Sequence, residues 1–236
     1  MRSITARFLL FFVLLGALTL SAVAQQEYVG RYALYAGYSH LVTPDMSLYQ
    51  KGFNLDAGVN VKRWLSLGLD YSRFDGSSSL GLSDLTAKQQ AAVLPYIEAY
   101  RAAVDPNYVL NVPFDARTYT LTAGPQINYR HFKHVTLFVR PACGMLHEVV
   151  TGRPRANDPL GRLATANMVG PSLAQADFIR FYGVGGGFTW QMRKHFGIRA
   201  SADYVHSYLF RDVLAHPRNT LRISVGPSFS FGKNVK

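Results

Sequence analysis

Cysteine and long apolar runs are both scarce in this sequence of 236 residues. Cys143 is the only cysteine, so no disulfide forms within the chain. A lone cysteine within a strand pattern is predicted to fill a small apolar position. Beyond residue 24 no run of about 18 or more apolar residues occurs, so the sequence offers no helix that would span a bilayer. These absences exclude a disulfide-stapled domain and a helical membrane protein, and the length fits one β-domain or two small domains.

The first 24 residues are predicted to be a secretory signal peptide. Two arginines precede an apolar run at 8–20, and Ala22 and Ala24 form a small-x-small pair before the cleavage point. A transmembrane helix would need about 20 apolar residues. The expected organisation is a cleaved segment, 1–24, followed by one domain over 25–236. An exported chain without a disulfide or a helical anchor is either a soluble secreted protein or an outer-membrane barrel.

The charge balance is clearly basic. The formal net charge is +11 at pH 7, and loss of Arg2 and Arg7 with the signal peptide lowers it by two, to +9. An exported basic protein meets anionic lipid head groups more often than nucleic acid. We therefore expect outer-membrane lipids and lipopolysaccharide as partners, and no nucleic acid. Arg153, Arg155 and Arg162 are candidates for contact with lipopolysaccharide phosphates, although a solvated basic loop explains them equally well.

An alternation of apolar and polar residues with a period of two recurs eight times along the chain. Alternation of this length predicts strands, not helices. The predicted strands lie near residues 30–40, 53–61, 65–72, 116–130, 135–146, 178–190, 196–208 and 220–231.

The links between these strands alternate in length. Three short, basic turns lie near 62–64, 130–134 and 192–195, whereas the links at 41–51, 75–114, 150–176 and 210–217 are longer. Short turns at one end and long loops at the other are typical of outer-membrane barrels.

The longest link is predicted to contain a helix. Ser83 or Asp84 would cap it, and it would run over about 85–104 with a kink near Pro95. We expect this insertion, at about 83–105, to cover the outer mouth of the barrel. A helix that binds a partner is the alternative.

Three features favour lipid, rather than a protein core, against the apolar face. The fourth strand has about 14 residues, whereas a globular strand has about 5 to 6 and a tilted membrane strand about 9 to 11. Aromatic residues fall toward strand ends on the apolar face, as lipid-interface side chains do. Those predicted are Tyr32, Tyr38, Tyr119, Tyr129, Phe196 and Tyr204.

The third feature is charge of both signs on the polar face at mid-strand. On a solvent-facing sheet such charges would be ordinary, but inside a narrow closed barrel balanced charges must pair. Tyr35, Phe138 and Phe181 add bulk to the predicted interior. The candidates for ion pairs across the lumen are Asp56, Asp70, Asp203, Arg140, Arg199 and Arg222.

Several segments carry a resemblance to a known family. They are "YAGYSHL", "VNVKRWLSLGLDYS", "TAGPQINYR", "VTLFVRPACG", "GVGGGFTWQMRKHFGIRASADYVHSY" and "RISVGPSFSFG". In their order and spacing, over residues 28–232, they resemble the small outer-membrane β-barrel domains similar to outer membrane protein A and the opacity proteins. The resemblance implies an all-β fold: an eight-stranded antiparallel transmembrane β-barrel with short periplasmic turns and long outer loops, in the bacterial outer membrane.

The last strand also resembles the signal that barrel-assembly machinery reads. Ser224, Gly226, Phe229 and Phe231 occupy its positions, which implies that machinery as a partner during biogenesis. Two departures from the family pattern are the tail at 232–236 and the 40-residue second loop. No segment for a peptidoglycan-binding domain follows the barrel, so attachment to the cell wall is not expected.

The sequence has only weak motifs for nucleotide binding, metal binding or catalysis. The glycines of 183–187 lack the strand-then-helix context of a nucleotide loop and are expected to make room for bulky lumen neighbours or to let the sheet bend. His131 and His134 share a turn without a third ligand, so no metal site is predicted. His206 and Ser207, as adjacent strand residues, point to opposite faces and cannot readily form a catalytic pair.

The sequence therefore predicts a monomeric barrel with a plugged lumen and a structural or adhesive role through its outer loops, without catalysis, metal or cofactor. The alternatives are a small-solute porin, an enzyme that modifies lipid A, and a soluble barrel carrier of the lipocalin type.

Overall fold

The computed structural model describes residue 26 and residues 28–215 and 218–236. The predicted signal peptide at 1–24 lies outside the described residues. Eight strands form a closed barrel in which every pair of neighbours is antiparallel and β8 closes on β1. The strands are β1 (Gly30–Thr43), β2 (Leu48–Lys62), β3 (Leu65–Gly81), β4 (Asn111–Tyr129), β5 (Val135–Gly152), β6 (Ala174–Gln191), β7 (Phe196–Ser207) and β8 (Arg218–Asn234).

Seven of the eight strands are longer than the sequence predicted, and most of the extra length lies toward the outer links, whereas β7 ends one residue earlier than predicted. β3, β4, β5 and β6 have 17, 19, 18 and 18 residues, whereas β7 has 12. The wall formed by β3 to β6 therefore extends farther outward than the rest of the barrel. The prediction of a long first outer link was wrong, because β1 and β2 stay paired up to Thr43 and Leu48 and leave only 44–47 between them.

The second outer link holds the predicted helix, α1 (Ala87–Ala103), with Pro95 inside it. Its predicted caps, Ser83 and Asp84, were wrong. Thr86 is the N-cap, and its Oγ1 accepts from the Gln89 amide at 3.4 Å. The Asp84 carboxylate instead accepts from the Gly81 amide at 2.7 Å, which closes a short 3₁₀ turn before the helix.

A second helix, α2 (Pro159–Val169), lies in the third outer link and was not predicted. Asp158 caps it by accepting from the Gly161 amide at 2.8 Å, and Pro159 occupies its first turn. Among the described residues, neither helix has the length and apolar content that crossing a bilayer requires.

The barrel divides into two halves of opposite polarity. In the inner half, next to the short turns, large apolar side chains point outward and polar ones inward. In the outer half, made of the long strand ends, α1, α2 and residues 209–214, apolar side chains point inward and form a buried cluster. An apolar outer surface around a closed sheet is the arrangement of a transmembrane β-barrel.

Candidate functional site: the filled interior

The structure brings all six charged residues predicted for the lumen into one buried cluster, the lumen ion cluster. Each comes from a strand position that points inward: Asp56 on β2, Asp70 on β3, Arg140 on β5, Arg199 and Asp203 on β7, and Arg222 on β8.

Arg140 and Arg222 connect the three carboxylates. Arg140 Nη1 lies 2.8 Å from an Asp56 oxygen, and its Nε lies 3.0 Å from an Asp203 oxygen. Arg222 contacts Asp70 at 2.6 Å and Asp203 at 2.9 Å. Since every carboxylate has at least one guanidinium within 3.0 Å, the cluster holds strands from opposite sides of the barrel together.

Neighbouring side chains make further hydrogen bonds and ring contacts with the charged groups of the cluster. Asn54 donates to Asp70 at 3.2 Å and Ser72 donates to it at 3.0 Å. The Arg199 guanidinium lies 4.0 Å from the Phe138 ring centroid and 5.4 Å from that of Tyr35. Three positive and three negative charges leave the cluster formally neutral, which is the condition for burying it in a narrow interior.

Gly185 on β6 makes room for one member of the cluster. A β-carbon at Gly185 would overlap the Asp203 carboxylate. The strand pattern runs through this glycine-rich stretch, because β6 extends from Ala174 to Gln191 without a helix after it.

A second buried ion pair lies farther outward, and sequence analysis missed it. Arg218 Nη1 lies 2.6 Å from a Glu148 oxygen, with both side chains at most 4% exposed. Thr118 donates to the other Glu148 oxygen at 2.8 Å, and Gln50 donates to Thr118 at 2.8 Å. The predicted strands stopped short of both Glu148 and Arg218. Glu148 lies eight positions after Arg140 on the same strand face, which was the available signal.

An apolar layer closes the outer mouth above this pair, and we call it the outer plug. α1 contributes Val93 and Ile97, and α2 contributes Leu160 and Ala164, all at most 7% exposed. They pack with Phe114 of β4 and with other inward residues of the wall formed by β3 to β6. Tyr108 donates to the Asp158 carboxylate at 3.0 Å and so ties the segment after α1 to the start of α2.

The inner mouth is polar. A cavity of about 70 Å³ lies there, lined by side chains that include Asn60, Gln126 and Asn128. Arg130 reaches across the mouth, donating to the Asn60 side chain at 2.9 Å and to the Arg63 carbonyl. Burial, together with the neighbouring Arg63 charge, lowers the pKa of Arg130 to about 10. A cavity of this size holds a few waters.

The six aromatic residues predicted for the lipid interface all point outward. Tyr32, Tyr129 and Phe196 lie near the short turns, at the level of the two tryptophans, Trp64 and Trp190. Tyr38, Tyr119 and Tyr204 lie toward the outer end of the apolar surface. Aromatic side chains therefore border the outward apolar surface at both ends, and we call the band at the outer end, with Tyr38, Tyr119 and Tyr204, the outer aromatic ring.

Three histidines accompany the outer aromatic ring. His40 packs on Tyr38, His147 on Tyr119, and His206 on Tyr208, with centroid distances of 5.0, 6.0 and 4.9 Å. His206 is partly exposed and points outward, and its Nδ1 lies 2.9 Å from the Asn219 side chain, whereas Ser207 is buried inside.

The residues predicted for barrel assembly lie on β8 with alternating orientation. Ser224 and Gly226 point inward, and Phe229 and Phe231 are exposed on the apolar outer surface. β8 continues past them to Asn234. Their recognition by assembly machinery stays a prediction.

The turn histidines His131 and His134 are both exposed. Within residues 28–215 and 218–236, no group of three or more His, Cys, Asp or Glu residues is arranged to hold a metal ion.

The surface of α1 away from the barrel exposes apolar residues alongside Lys88, Glu98 and Arg101. Leu94 and Tyr96 on the helix are 36% and 53% exposed, and Val104 and Val109 just after it are 65% and 72% exposed. An apolar patch at the tip of a loop is a feature of interaction surfaces.

No protein-family model matches the chain, and no curated protein sequence matches it. Among solved structures, Neisserial surface protein A is similar over 85% of this chain and 96% of its own, with a TM-score of 0.51 and 12% identity. OprG of Pseudomonas aeruginosa is 9% identical, with 89% and 100% coverage and a TM-score of 0.45. Ail, the attachment invasion locus protein of Yersinia pestis, is 15% identical, with 86% and 100% coverage and a TM-score of 0.41. The first likeness shows that this chain has the fold of a small eight-stranded outer-membrane barrel.

Proposed function

We propose that this barrel is an integral protein of the bacterial outer membrane with a sealed interior, whose role is structural or adhesive through its outer links. In this proposal it acts as a monomer, without catalysis or a cofactor. Barrel-assembly machinery inserts it, and outer-membrane lipids and lipopolysaccharide surround it.

The filling of the interior is the observation that carries the proposal. The lumen ion cluster closes the middle of the barrel, and the outer plug closes its outer mouth with buried apolar side chains. Two barriers of different chemistry argue against passage of either ions or apolar solutes. Without solute passage through its interior, such a barrel would act through its outer surface.

The outward tip supports an adhesive role. Leu94 and Tyr96 on α1 are exposed while Val93 and Ile97 on the same helix are buried against the barrel. The buried residues fix the helix in place, so the exposed apolar ones form a rigid surface that a partner protein can bind with little loss of conformational entropy.

A basic band on the outer surface supports contact with lipopolysaccharide. Lys51, Arg73, Arg117 and Arg180 occupy outward positions close to the outer aromatic ring. Asp75 neutralises part of this charge through Arg73 and Arg117, at 3.4 and 2.5 Å. The other cations remain available to the phosphates of the outer leaflet.

Planar-bilayer conductance tests the sealed interior. We expect no defined current steps from the full chain. A variant in which residues 86–109 are replaced by a short turn should also stay silent, because the lumen ion cluster remains. Steps from the full chain would establish the porin alternative, and steps from the shortened variant alone would assign the seal to the outer plug.

Adhesion assays test the outer surface. Cells that display Leu94→Ser with Tyr96→Ser should lose binding to host proteins or to neighbouring cells, while cells with Lys88→Gln keep it. Equal binding by both variants would contradict a role for this face. Lipid A analysed after overexpression should be unchanged, and a new modification would favour the enzyme alternative.

A further inference from the structure

Most of the net positive charge lies at the end of the barrel with the short turns. Nine Lys and Arg side chains lie in these turns and in the terminal segments beside them, and no described Asp or Glu accompanies them. The rest of the described chain is almost neutral, with fourteen Lys and Arg against thirteen Asp and Glu. The nine are Arg31, Lys62, Arg63, Arg130, Lys133, Arg193, Lys194, Lys233 and Lys236.

Three of these cations line one open cleft of about 810 Å³. Lys133 comes from the β4–β5 turn, and Arg193 and Lys194 come from the β6–β7 turn. The Gln191 amide donates to the His134 carbonyl at 2.6 Å, which holds the two turns side by side. All three cations are exposed, and none makes an ion pair within the described residues.

The cleft lies at the same end of the barrel as the inner edge of the apolar outer surface, because Gln191, which lines it, directly follows Trp190. Trp190 on β6 pairs with Val135 on β5, one step along the strands from the two turns, and Phe188 pairs with Leu137 beyond it. Trp190 and Phe188 are 51% and 46% exposed and point outward. The two outward rings therefore lie one and three residues before the end of β6, where the turn that carries Arg193 and Lys194 follows, on the side of the barrel that faces the acyl chains.

We propose that this cleft binds the head group of an anionic glycerophospholipid of the periplasmic leaflet, with the acyl chains against Trp190 and Phe188. The inference rests on the membrane insertion proposed above and adds a lipid preference to it. Three cations with no Asp or Glu among the described residues that line the cleft favour a phosphate that carries a net negative charge. A zwitterionic head group brings its own ammonium group, which these cations repel.

The two tryptophans serve as built-in probes. Trp64→Phe leaves Trp190 as the only tryptophan, beside the cleft, and its fluorescence is quenched by lipids with brominated acyl chains. The protein is refolded into phosphatidylcholine vesicles that contain about 10% brominated phosphatidylglycerol or the same fraction of brominated phosphatidylcholine. We expect quenching by phosphatidylglycerol that corresponds to about fivefold or greater local enrichment.

Matched variants assign the preference to the cleft. Lys133→Gln with Arg193→Gln and Lys194→Gln should equalise quenching by the two lipids. The same change at three outer-link cations, Arg153→Gln with Arg155→Gln and Arg162→Gln, should leave the preference intact. Inorganic phosphate at millimolar concentration should not compete, and competition would indicate a site for free phosphate and overturn the lipid assignment.

The outcomes separate this inference from the proposed function. Absence of quenching by either lipid overturns membrane insertion and this inference together. Equal quenching by both lipids in the Trp64→Phe protein leaves insertion intact and overturns the lipid preference alone. Equal quenching together with binding to peptidoglycan that the triple cleft variant loses would assign the cations to the cell wall and overturn the inference.

Discussion

The inner and outer halves of this barrel are built on the same strands with reversed polarity. On β4, the inner half directs Leu121 outward and Thr120 inward, whereas the outer half directs Arg117 outward and Phe114 inward. The backbone pairing continues through the change, and β4 stays paired with β3 up to Asn111. Alternation with a period of two therefore specifies the strand, and the polarity of each face specifies its surroundings.

The reversal follows from the solvent outside. Where hydrocarbon surrounds the barrel, apolar residues face out, and the interior is filled with charges that neutralise one another. Where water surrounds it, the hydrophobic effect favours the opposite arrangement, and the helices bury Val93, Ile97, Leu160 and Ala164 against the inward wall. The Glu148–Arg218 pair lies at the boundary between the two.

The largest effect is expected from removing one charge in the inner half. Asp203→Ala leaves Arg140 and Arg222 without a shared carboxylate, so it should lower the free energy of unfolding by about 3–5 kcal/mol. Asp75→Ala removes a carboxylate from exposed ion pairs of the outer surface and should cost less than about 1 kcal/mol. Urea unfolding in lipid vesicles measures both. Similar costs would contradict the contrast between a buried and an exposed network.

The next largest effect is expected from an arginine introduced at an outward position, which should cost more stability in the inner half than in the outer half. Leu69→Arg places a charge in the apolar band that we assign to the bilayer centre, and it should lower the free energy of unfolding by about 2–4 kcal/mol. Ser77→Arg, farther along the same face of β3, lies opposite Asp115 and should leave stability unchanged. The same unfolding assay compares them. A large cost at residue 77 would place hydrocarbon around the outer half as well.

A smaller effect is expected from the hydrogen bond between Tyr108 and Asp158, which joins the segment after α1 to the start of α2. Tyr108→Phe removes the hydroxyl that donates to Asp158, and should cost about 1–2 kcal/mol for local opening of the outer plug, measured by hydrogen exchange. Burial and the Asp158 carboxylate raise the pKa of Tyr108 above its usual value near 10. The advantage of tyrosine over phenylalanine is therefore full below pH 10 and decreases as the pH rises toward the raised pKa. An advantage that grows above pH 10 would contradict the hydrogen bond.

The smallest effect concerns the start of α1. Thr86→Ala should reduce protection of the first turn by about 1 kcal/mol, because the helix loses its N-cap. Ser83→Ala, three residues earlier, should leave the protection unchanged. Hydrogen exchange resolved to peptides measures both variants, and an effect at residue 83 instead would restore the cap predicted from the sequence.

The inner half was largely predictable because its alternation is regular. The residues of the lumen ion cluster follow from strand parity, although which arginine meets which aspartate depends on the barrel register. The outer half was less predictable. Its strand ends carry polar residues outward and apolar ones inward with irregular interruptions, so β3 and β4 were predicted too short. α2 begins at Asp158–Pro159 in a link that reads as a loop, and its burial depends on contacts with α1 that are distant in the chain.

Cys143 offers the most direct test of the central claim, that hydrocarbon surrounds the inner half. It is the only cysteine, it points outward on β5, and it is exposed in the protein alone. In vesicles, Cys143 should not react with a charged, water-soluble maleimide until the protein is unfolded, whereas Ser77→Cys in a Cys143→Ser background should react at once. Equal reaction at the two positions in the folded, vesicle-bound protein would contradict the account.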